Sequence, residues 1–352
     1  MAQTTRTLGR SGVAITTVGF GAWAAGGGDW AYSWGAQDDE ESIAAMRRAV
    51  ERGVNWIDTA AVYGLGHSEE VVGRFLRGLP AGDRPMIFTK GGLVWDPQDR
   101  HAHPKRILEP SSIRRECDAS LRRLGVERID LYQFHWPDES GTAVEDSWGE
   151  MGRLVDAGKI RLAGVSNFGV PLLERCERIR HVDSLQPPFS MIRRELAARE
   201  LPWCLEHGTG VICYSPMQSG LLTDRFARER IERMADNDWR RRSPHFQEPN
   251  LTASLALRDR LPPVAERHGA TVSAIAVAWT LAWPGMTAAI VGARSAEQVD
   301  GWIGAAEIEL TERDLDEIAL AIADTAAGTG PAMPARRPGA RARADRAELK
   351  EC

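Results

Sequence analysis

The chain is short of cysteine, of tyrosine and of long apolar runs, and each shortage narrows its class. Its 352 residues hold five cysteines, Cys117, Cys176, Cys204, Cys213 and Cys352, scattered and without any CxxC pair. That pattern offers neither a disulfide framework nor a zinc site, and it predicts a reducing, cytoplasmic setting. No run of about 18 apolar residues occurs, so no membrane-spanning helix is expected, and the opening MAQTTRTLGR lacks the apolar stretch of a signal peptide. Excess positive charge is missing as well. The 44 Lys and Arg face 49 Asp and Glu, a formal net charge of −5, which argues against a nucleic-acid-binding body.

What is present is ordinary globular material, 43% hydrophobic and 26% charged, which excludes a disordered or collagenous chain. Charge is uneven, because Pro334–Cys352 carries six basic and three acidic residues and leaves the remainder more acidic than the total suggests. Only four aromatic residues are tyrosine, whereas twelve are tryptophan. Flat side chains in that number suit a deep pocket, and core packing accounts for tryptophan equally well.

Short apolar runs alternate with helical patterns along the chain. Strands are expected at 18–21, 55–58, 86–90, 129–135, 160–166, 184–187, 211–214 and 288–292, with helices at 39–52, 68–79, 112–124, 144–157, 171–180 and 196–206 between them. Eight such units with no composition break favour a single α/β domain, a closed (β/α)8 TIM barrel spanning 1–325, over an open sheet. Residues 5–17, with Gly9 and Gly12 at a turn, read as an N-terminal β-hairpin ahead of the first barrel strand. A long polar loop at 218–251 follows strand seven, with Arg240, Arg241 and Arg242 in it. The segment 326–352, rich in Ala, Gly, Pro and Arg, is expected to be a disordered basic tail.

Gly19-Phe-Gly21-Ala-Trp-Ala24 matches a dinucleotide-binding fingerprint, but that fingerprint requires a helix opening at the glycines. Here Ala25-Gly26-Gly27-Gly28 follows, which cannot start a stable helix. The segment reads instead as a strand end leading into a flexible pocket loop.

Chemistry-bearing residues gather at consecutive strand ends: Asp58 and Tyr63 after strand two, Lys90 after strand three and His135 after strand four. In a parallel barrel these positions share one rim. A phenol of intrinsic pKa near 10 is a poor acid at neutral pH. A neighbouring ammonium lowers that pKa, an aspartate keeps the ammonium charged, and a histidine polarises a carbonyl. Taken singly, these residues also read as a structural ion pair, a surface tyrosine and a packed histidine.

The motifs that carry them resemble the aldo-keto reductase superfamily. They are Asp58-Thr59-Ala60 with Tyr63-Gly64, Gly66-His67-Ser68-Glu69, Thr89-Lys90, Leu131–Trp136 and Gly164-Val165-Ser166-Asn167-Phe168. With His135-Trp136-Pro137-Asp138 and Gly292-Ala293-Arg294, they are most similar to bacterial general-stress-protein-type members, which use NADPH. The resemblance implies a carbonyl reductase with Tyr63 as general acid, Lys90 as its tuner, Asp58 as the partner of Lys90 and His135 as the carbonyl-orienting group. Trp23, Ser166, Asn167, Gln186 and Tyr214 would meet the nicotinamide. Ser215, Met217, Gly220, Leu221 and Arg225 would line the pyrophosphate, and Gly292, Arg294 and Gln298 the adenosine and its 2′-phosphate. Asp224-Arg225 stands where relatives often have Gly-Lys, and Trp302 where many have asparagine. Ser295-x-x-Gln298 also reads as a capping box.

Trp30, Trp34, Trp95 and Trp136, with Trp23, follow strands one, three and four and are expected to wall a mostly apolar substrate pocket. His101-Ala-His103 lacks metal-ligand spacing, and no metal is expected. The same site run backwards would oxidise an alcohol or sugar. A Schiff-base aldolase using Lys90 and a catalytically silent nucleotide-sensing subunit are the competing classes. A small carbonyl or alcohol compound is the expected partner, with no nucleic acid or membrane, and the sequence leaves the oligomeric state open.

Overall fold

The computed structural model describes residues 3–334. A hairpin of β1 (Thr5–Thr7) and β2 (Ala14–Thr16) precedes the barrel strands β3 (Val18–Gly21), β4 (Trp56–Asp58) and β5 (Met86–Gly91). A two-stranded ribbon, β6 (Leu93–Val94) with β7 (Lys105–Arg106), interrupts the series. Then come β8 (Ile129–Phe134), β9 (Ile160–Ser166), β10 (Ser184–Gln186), β11 (Gly210–Tyr214) and β12 (Met286–Gly292). The strands β3, β4, β5 and β8 to β12 pair in parallel around a closed barrel, β12 returning to β3. This is the (β/α)8 barrel read from the alternation of apolar runs.

Helices α1 (Asp39–Glu51), α2 (His67–Arg77), α3 (Pro110–Leu124), α4 (Val144–Asp156), α5 (Val170–Glu177) and α6 (Glu200–His207) follow successive strands. Their ends carry the expected signals. Asp38 caps α1 by accepting from the Glu41 N–H at 2.9 Å, Pro110 opens α3, and Gly125 closes it with φ 68°. The helix expected from 196 begins instead at Glu200, after a separate 3-10 turn over Glu195–Ala198.

The barrel floor is filled by Trp56, Phe88, Leu131, Leu162, Ile212 and Ile290, onto which the hairpin drives Leu8, Val13 and Ile15. Each fully buried side chain of this size contributes about 1.5–3 kcal/mol. Gly19 belongs to that packing: a Cβ there would lie 2.1 Å from the Trp56 indole. The fingerprint glycine therefore makes room for a core tryptophan. Trp23–Gly26 forms a 3-10 turn and the next α-helix starts at Asp39.

The loop after β11 is less plain than its polarity suggests. It holds α7 (Glu229–Glu232) and 3-10 turns at Gln218–Gly220, Trp239–Arg242 and Pro244–Phe246, and leads into α8 (Asn250–Arg258), α9 (Pro262–Arg267) and α10 (Val272–Leu281). After β12 come α11 (Ala296–Asp300) and α12 (Glu312–Thr325).

Packed structure does not stop at the boundary expected at Ala326. Ala327 is fully buried, and the Arg194 guanidinium donates to its carbonyl at 2.9 Å and to that of Gly330 at 3.2 Å. Apolar and basic composition concealed this docking because backbone carbonyls make much of it. The rest of the expected tail, 335–352, lies outside the described residues. No helix among the described residues is long and apolar enough to cross a membrane, and Cys117, Cys176, Cys204 and Cys213 are buried free thiols.

Candidate active site

Side chains alternate across a strand, so each barrel strand's inner face is read every second residue. Trp56, Phe88, Leu131 and Ile212 fill the floor, and two residues later on the same face stand Asp58, Lys90, Gln133 and Tyr214. Ser166 and Gln186, paired in register, end β9 and β10 beside them. One period-two pattern thus places an apolar floor and a polar rim in the same barrel.

The Lys90 Nζ lies 2.5 Å from Asp58 Oδ1, 2.9 Å from the Thr59 carbonyl and 3.5 Å from the Tyr63 hydroxyl. Lys90 and Asp58 are 1% and 3% exposed. Three oxygen neighbours match the three protons of an ammonium. With the Tyr63 oxygen accepting from Lys90, the phenol's own proton is left for a reacting oxygen. Gln186 Nε2 donates to Asp58 Oδ2 at 2.8 Å and to Gln133 Oε1 at 3.3 Å. Burial pulls the ammonium of Lys90 below its ordinary value, opposed by the Asp58 charge. Burial also pushes Asp58 up, opposed by Lys90 and by the hydrogen bond from Gln186.

Sequence chemistry predicts that Lys90 favours the Tyr63 phenolate, and in the resting site burial outweighs that help. Burial, and then the Asp58 charge, hold the Tyr63 phenol well above its usual value. Loss of water around the phenol is the larger cause, and the Lys90 ammonium is shared with Asp58, 2.5 Å away against 3.5 Å to the phenol. Tyr63 therefore keeps its proton at neutral pH, which suits an acid rather than a base.

His135 meets the Tyr63 ring edge-on, centroids 5.6 Å apart. Its backbone N–H donates to the Gly91 carbonyl at 2.9 Å, and its Nδ1 is buried without a hydrogen-bond partner among the described residues. Burial, and then the Lys90 charge, keep this imidazole well below its ordinary pKa. It is neutral at neutral pH.

The loop that presents Tyr63 is fixed by two glycines. Gly64 has φ 63°, and a Cβ on it would lie 2.1 Å from the Gly26 carbonyl oxygen. A Cβ on Gly26 would in turn lie 2.7 Å from the Gly64 nitrogen. The glycine stretch read as a flexible loop is thus one side of a tight backbone contact.

Trp23 stacks on Tyr63 at 5.7 Å and on Trp239 at 5.2 Å, and meets Trp34 edge-on at 5.3 Å. Trp30 and Trp95 pack in the same apolar cluster as Tyr63. Trp136 does not join them, and its ring lies under the Arg106 guanidinium at 4.3 Å. Trp239, from the long loop, completes the cluster and was missed in sequence because it follows no strand directly. The Arg240 guanidinium covers Trp34 at 4.5 Å and pairs with Asp238. His101 and His103 are taken up by Asp29 at 3.2 Å and Tyr32 at 2.7 Å.

On the opposite side of the rim, Asn167 Nδ2 donates to the His135 carbonyl at 2.9 Å and to Ser166 Oγ at 3.0 Å, while the Tyr214 hydroxyl donates to Asn167 Oδ1 at 2.8 Å. Ser166 Oγ donates to the Gln186 carbonyl at 2.7 Å. Ser215, Gln218 and Ser219 have left-handed backbones with φ of 57°, 45° and 54°, and Gly220 follows at 104°. Met217 is partly buried and Leu221 fully so. Several amides expected to face a diphosphate are used inside this turn, as Leu221 N–H to the Gln218 carbonyl at 3.2 Å and Gly220 N–H to the Met217 carbonyl at 3.1 Å.

One further expectation is corrected, and two departures from relatives find structural partners. Gln298 Oε1 accepts from the Arg294 N–H at 2.9 Å and Ser295 makes no side-chain cap, so no capping box forms. Trp302, where many relatives have asparagine, is 2% exposed and belongs to the core. Asp224, beside Arg225, accepts from the Val272 N–H in the first turn of α10 at 2.9 Å, next to the Thr271 cap. Arg225 itself projects outward, 3.4 Å from Glu297.

Residues 17–323 match the Aldo/keto reductase family. The chain belongs to that family. It is 35% identical to the aldo-keto reductase YhdN of Bacillus subtilis over 293 residues, 82% of this chain and 85% of the relative. It is 31% identical to the NADH-specific methylglyoxal reductase of Escherichia coli over 320 residues, 87% of this chain and 94% of the relative. Among solved structures, the glycerol dehydrogenase of Gluconobacter oxydans is similar with a TM-score of 0.83 and 34% identity, covering 96% of this chain and all of that one.

Aldo/keto reductases use nicotinamide cofactors, and the rim has groups that fit one. Polar side chains of Ser166, Asn167 and Gln186 cluster beside the Tyr214 ring. Farther out, burial and then the charge of Arg240 hold both the Arg294 and Arg230 guanidiniums below their ordinary value. Arg240 itself is charge-paired with Asp238. Arg294 is meanwhile held by Gln37 Oε1 at 2.7 Å and the Trp34 carbonyl at 3.3 Å, and Gly292 is exposed at the end of β12.

Proposed function

We propose that this aldo/keto reductase reduces a carbonyl compound, an aldehyde, ketone or sugar, to the alcohol with NADPH, using Tyr63 as general acid. The observation that carries the reading is the Lys90 ammonium held between Asp58 Oδ1, the Thr59 carbonyl and the Tyr63 hydroxyl on the barrel rim.

A bound reduced nicotinamide supplies the hydride. The protein's part is to hold and deliver the proton. The neutral His135 ring, with an unpartnered nitrogen beside Tyr63, orients the substrate carbonyl and polarises it. As negative charge develops on the carbonyl oxygen, Tyr63 Oη gives up its proton to it, and Lys90 stabilises the phenolate left behind. Asp58, anchored by Gln186, keeps the ammonium charged despite burial. The aromatic cluster of Trp23, Trp34 and Trp239 excludes water from above Tyr63.

Arg294, with Arg240 and Arg230 nearby, would hold the 2′-phosphate that distinguishes NADPH from NADH. The NADH-specific relative makes this the point to test. Fluorescence-quenching titrations with each cofactor, followed by a panel of aromatic aldehydes, keto-steroids and sugars, decide it. NADPH binding at least tenfold tighter than NADH, lost in Arg294→Ala, is expected; equal binding of both by the native protein refutes the assignment. The similarity to a glycerol dehydrogenase favours a second reading, oxidation of an alcohol in the reverse direction. Faster turnover of polyols with NADP+ than of carbonyls with NADPH supports that direction.

A further inference from the structure

The lysine on the rim is held by more than its own contacts. The residues on either side of it in the fold, Thr89 on β5 and Thr59 just beyond β4, are both fully buried. Each is tied by its hydroxyl to the first turn of α2. Ser68 Oγ donates to the Ala22 carbonyl at 2.8 Å, so the Thr59 hydroxyl, 2.8 Å away, is the donor to Ser68. The Thr89 hydroxyl donates to Glu69 Oε1 at 2.6 Å. The other carboxylate oxygen, Glu69 Oε2, accepts from Arg123 Nε of α3 at 2.7 Å.

Ser68 and Glu69 are fully buried, and their helix begins at His67, shortly after Tyr63. The backbone closes the ring: the Ser68 N–H donates to the Tyr63 carbonyl at 3.1 Å and the Ala61 N–H to the Lys90 carbonyl at 3.2 Å. The Tyr63 loop is therefore tied at one end to the strand that carries Lys90 and at the other to the first turn of α2.

We propose that Glu69 is a positioning residue for the proton-delivery unit: through Thr89, and with Ser68 acting on Thr59, it aims the Lys90 ammonium at Asp58, the Thr59 carbonyl and Tyr63. The inference rests on the reading of Tyr63 and Lys90 given above. A buried Arg–Glu pair is often only a link between two helices, and Arg123–Glu69 does join α3 to α2. The bond from Thr89 is what a mere helix link does not need. Lys90 also faces charge from several elements, Asp58 of β4, Tyr214 of β11 and Glu69 of α2, with Tyr63 and His135 beside it. Glu69 faces Arg123 and Lys90, and the titratable Cys117 and Tyr132.

Thr89→Val keeps the shape of the side chain and the Arg123–Glu69 pair while deleting the donor, and Thr89→Ser restores the donor. Two readouts are independent. In steady-state assays of the full chain with NADPH, Thr89→Val is expected to lower kcat about tenfold or more with KM for the carbonyl within about twofold, and Thr89→Ser to recover most of it. In the protein without cofactor, isotope labelling at lysine gives few signals, because the chain has only Lys90, Lys105, Lys159 and Lys350. The Lys90 resonance, assigned by its loss in Lys90→Met, is expected to shift in Thr89→Val and return in Thr89→Ser. In Glu69→Gln it is expected to titrate at lower pH, because a neighbouring anion is gone.

An unchanged Lys90 resonance and titration in Thr89→Val and Glu69→Gln overturns the proposal, whatever the activity. So does a folded Thr89→Val with native kcat. If the native protein turns over no carbonyl with either cofactor, the functional reading fails instead, and the lysine resonance alone decides the positioning role.

Discussion

Replacing Gly64 by alanine tests how the backbone presents Tyr63. The residue has φ 63°, where an L side chain costs about 1–2 kcal/mol. Its new Cβ would also lie 2.1 Å from the Gly26 carbonyl oxygen, a backbone atom inside a 3-10 turn that cannot swing aside. Relieving that overlap by moving the loop adds about 1–3 kcal/mol. The expected total is a loss of about 2–5 kcal/mol, with Tyr63 displaced from Lys90 and kcat down about a hundredfold. Gly12→Ala supplies the control. Gly12 has φ 74° in the hairpin, with nothing within 4 Å of a new Cβ, so only the backbone cost of about 1–2 kcal/mol applies. Denaturant unfolding gives the two stabilities and steady-state kinetics the two kcat values. If Gly64→Ala is no less stable than Gly12→Ala and keeps native kcat, the close approach does not set the position of the acid.

Two other outcomes follow from the site's surroundings. His135 is depressed below its unfolded pKa of about 6.5, so below that pH the unfolded chain binds a proton that the folded chain refuses. Stability should fall as pH drops below about 6.5, and His135→Gln should flatten the melting temperature across that acid limb; an unchanged slope contradicts the shift. Trp239→Ala removes the outer member of the stack on Trp23. It should cost about 1 kcal/mol of stability and raise KM for small carbonyls severalfold while leaving kcat near native, measured on the same substrate panel.

Much of the barrel is readable in the sequence because its strands are short apolar runs separated by capped helices. Val18–Gly21, Ile160–Ser166 and Ala288–Gly292 mark their strands with few alternatives. The rim residues are readable for the same reason, since a polar residue two places after an inward apolar one must surface at the barrel's end. Gln133 follows Leu131 in that way and bonds to Gln186, and the same period would have found it. Trp239 and Arg240 are different. They reach the site from a loop whose path is set by contacts such as Trp239 N–H to the Ser33 carbonyl at 3.2 Å, which no local pattern encodes. The sign of the Tyr63 shift was illegible too, because it depends first on how deeply the fold buries the phenol and then on the nearby Asp58 charge. Gly26 carried a local signal that pointed to looseness, and its close approach to Gly64 reverses the meaning.

The central claim is that Tyr63 gives the proton while the rest of the site binds and orients. Tyr63→Phe removes one oxygen and leaves the ring on Trp23 in place. NADPH affinity by fluorescence quenching should stay within about twofold of native, and kcat for carbonyl reduction should fall by about 10²–10⁴. A Tyr63→Phe protein that binds NADPH normally and reduces the carbonyl at the native rate would contradict the account.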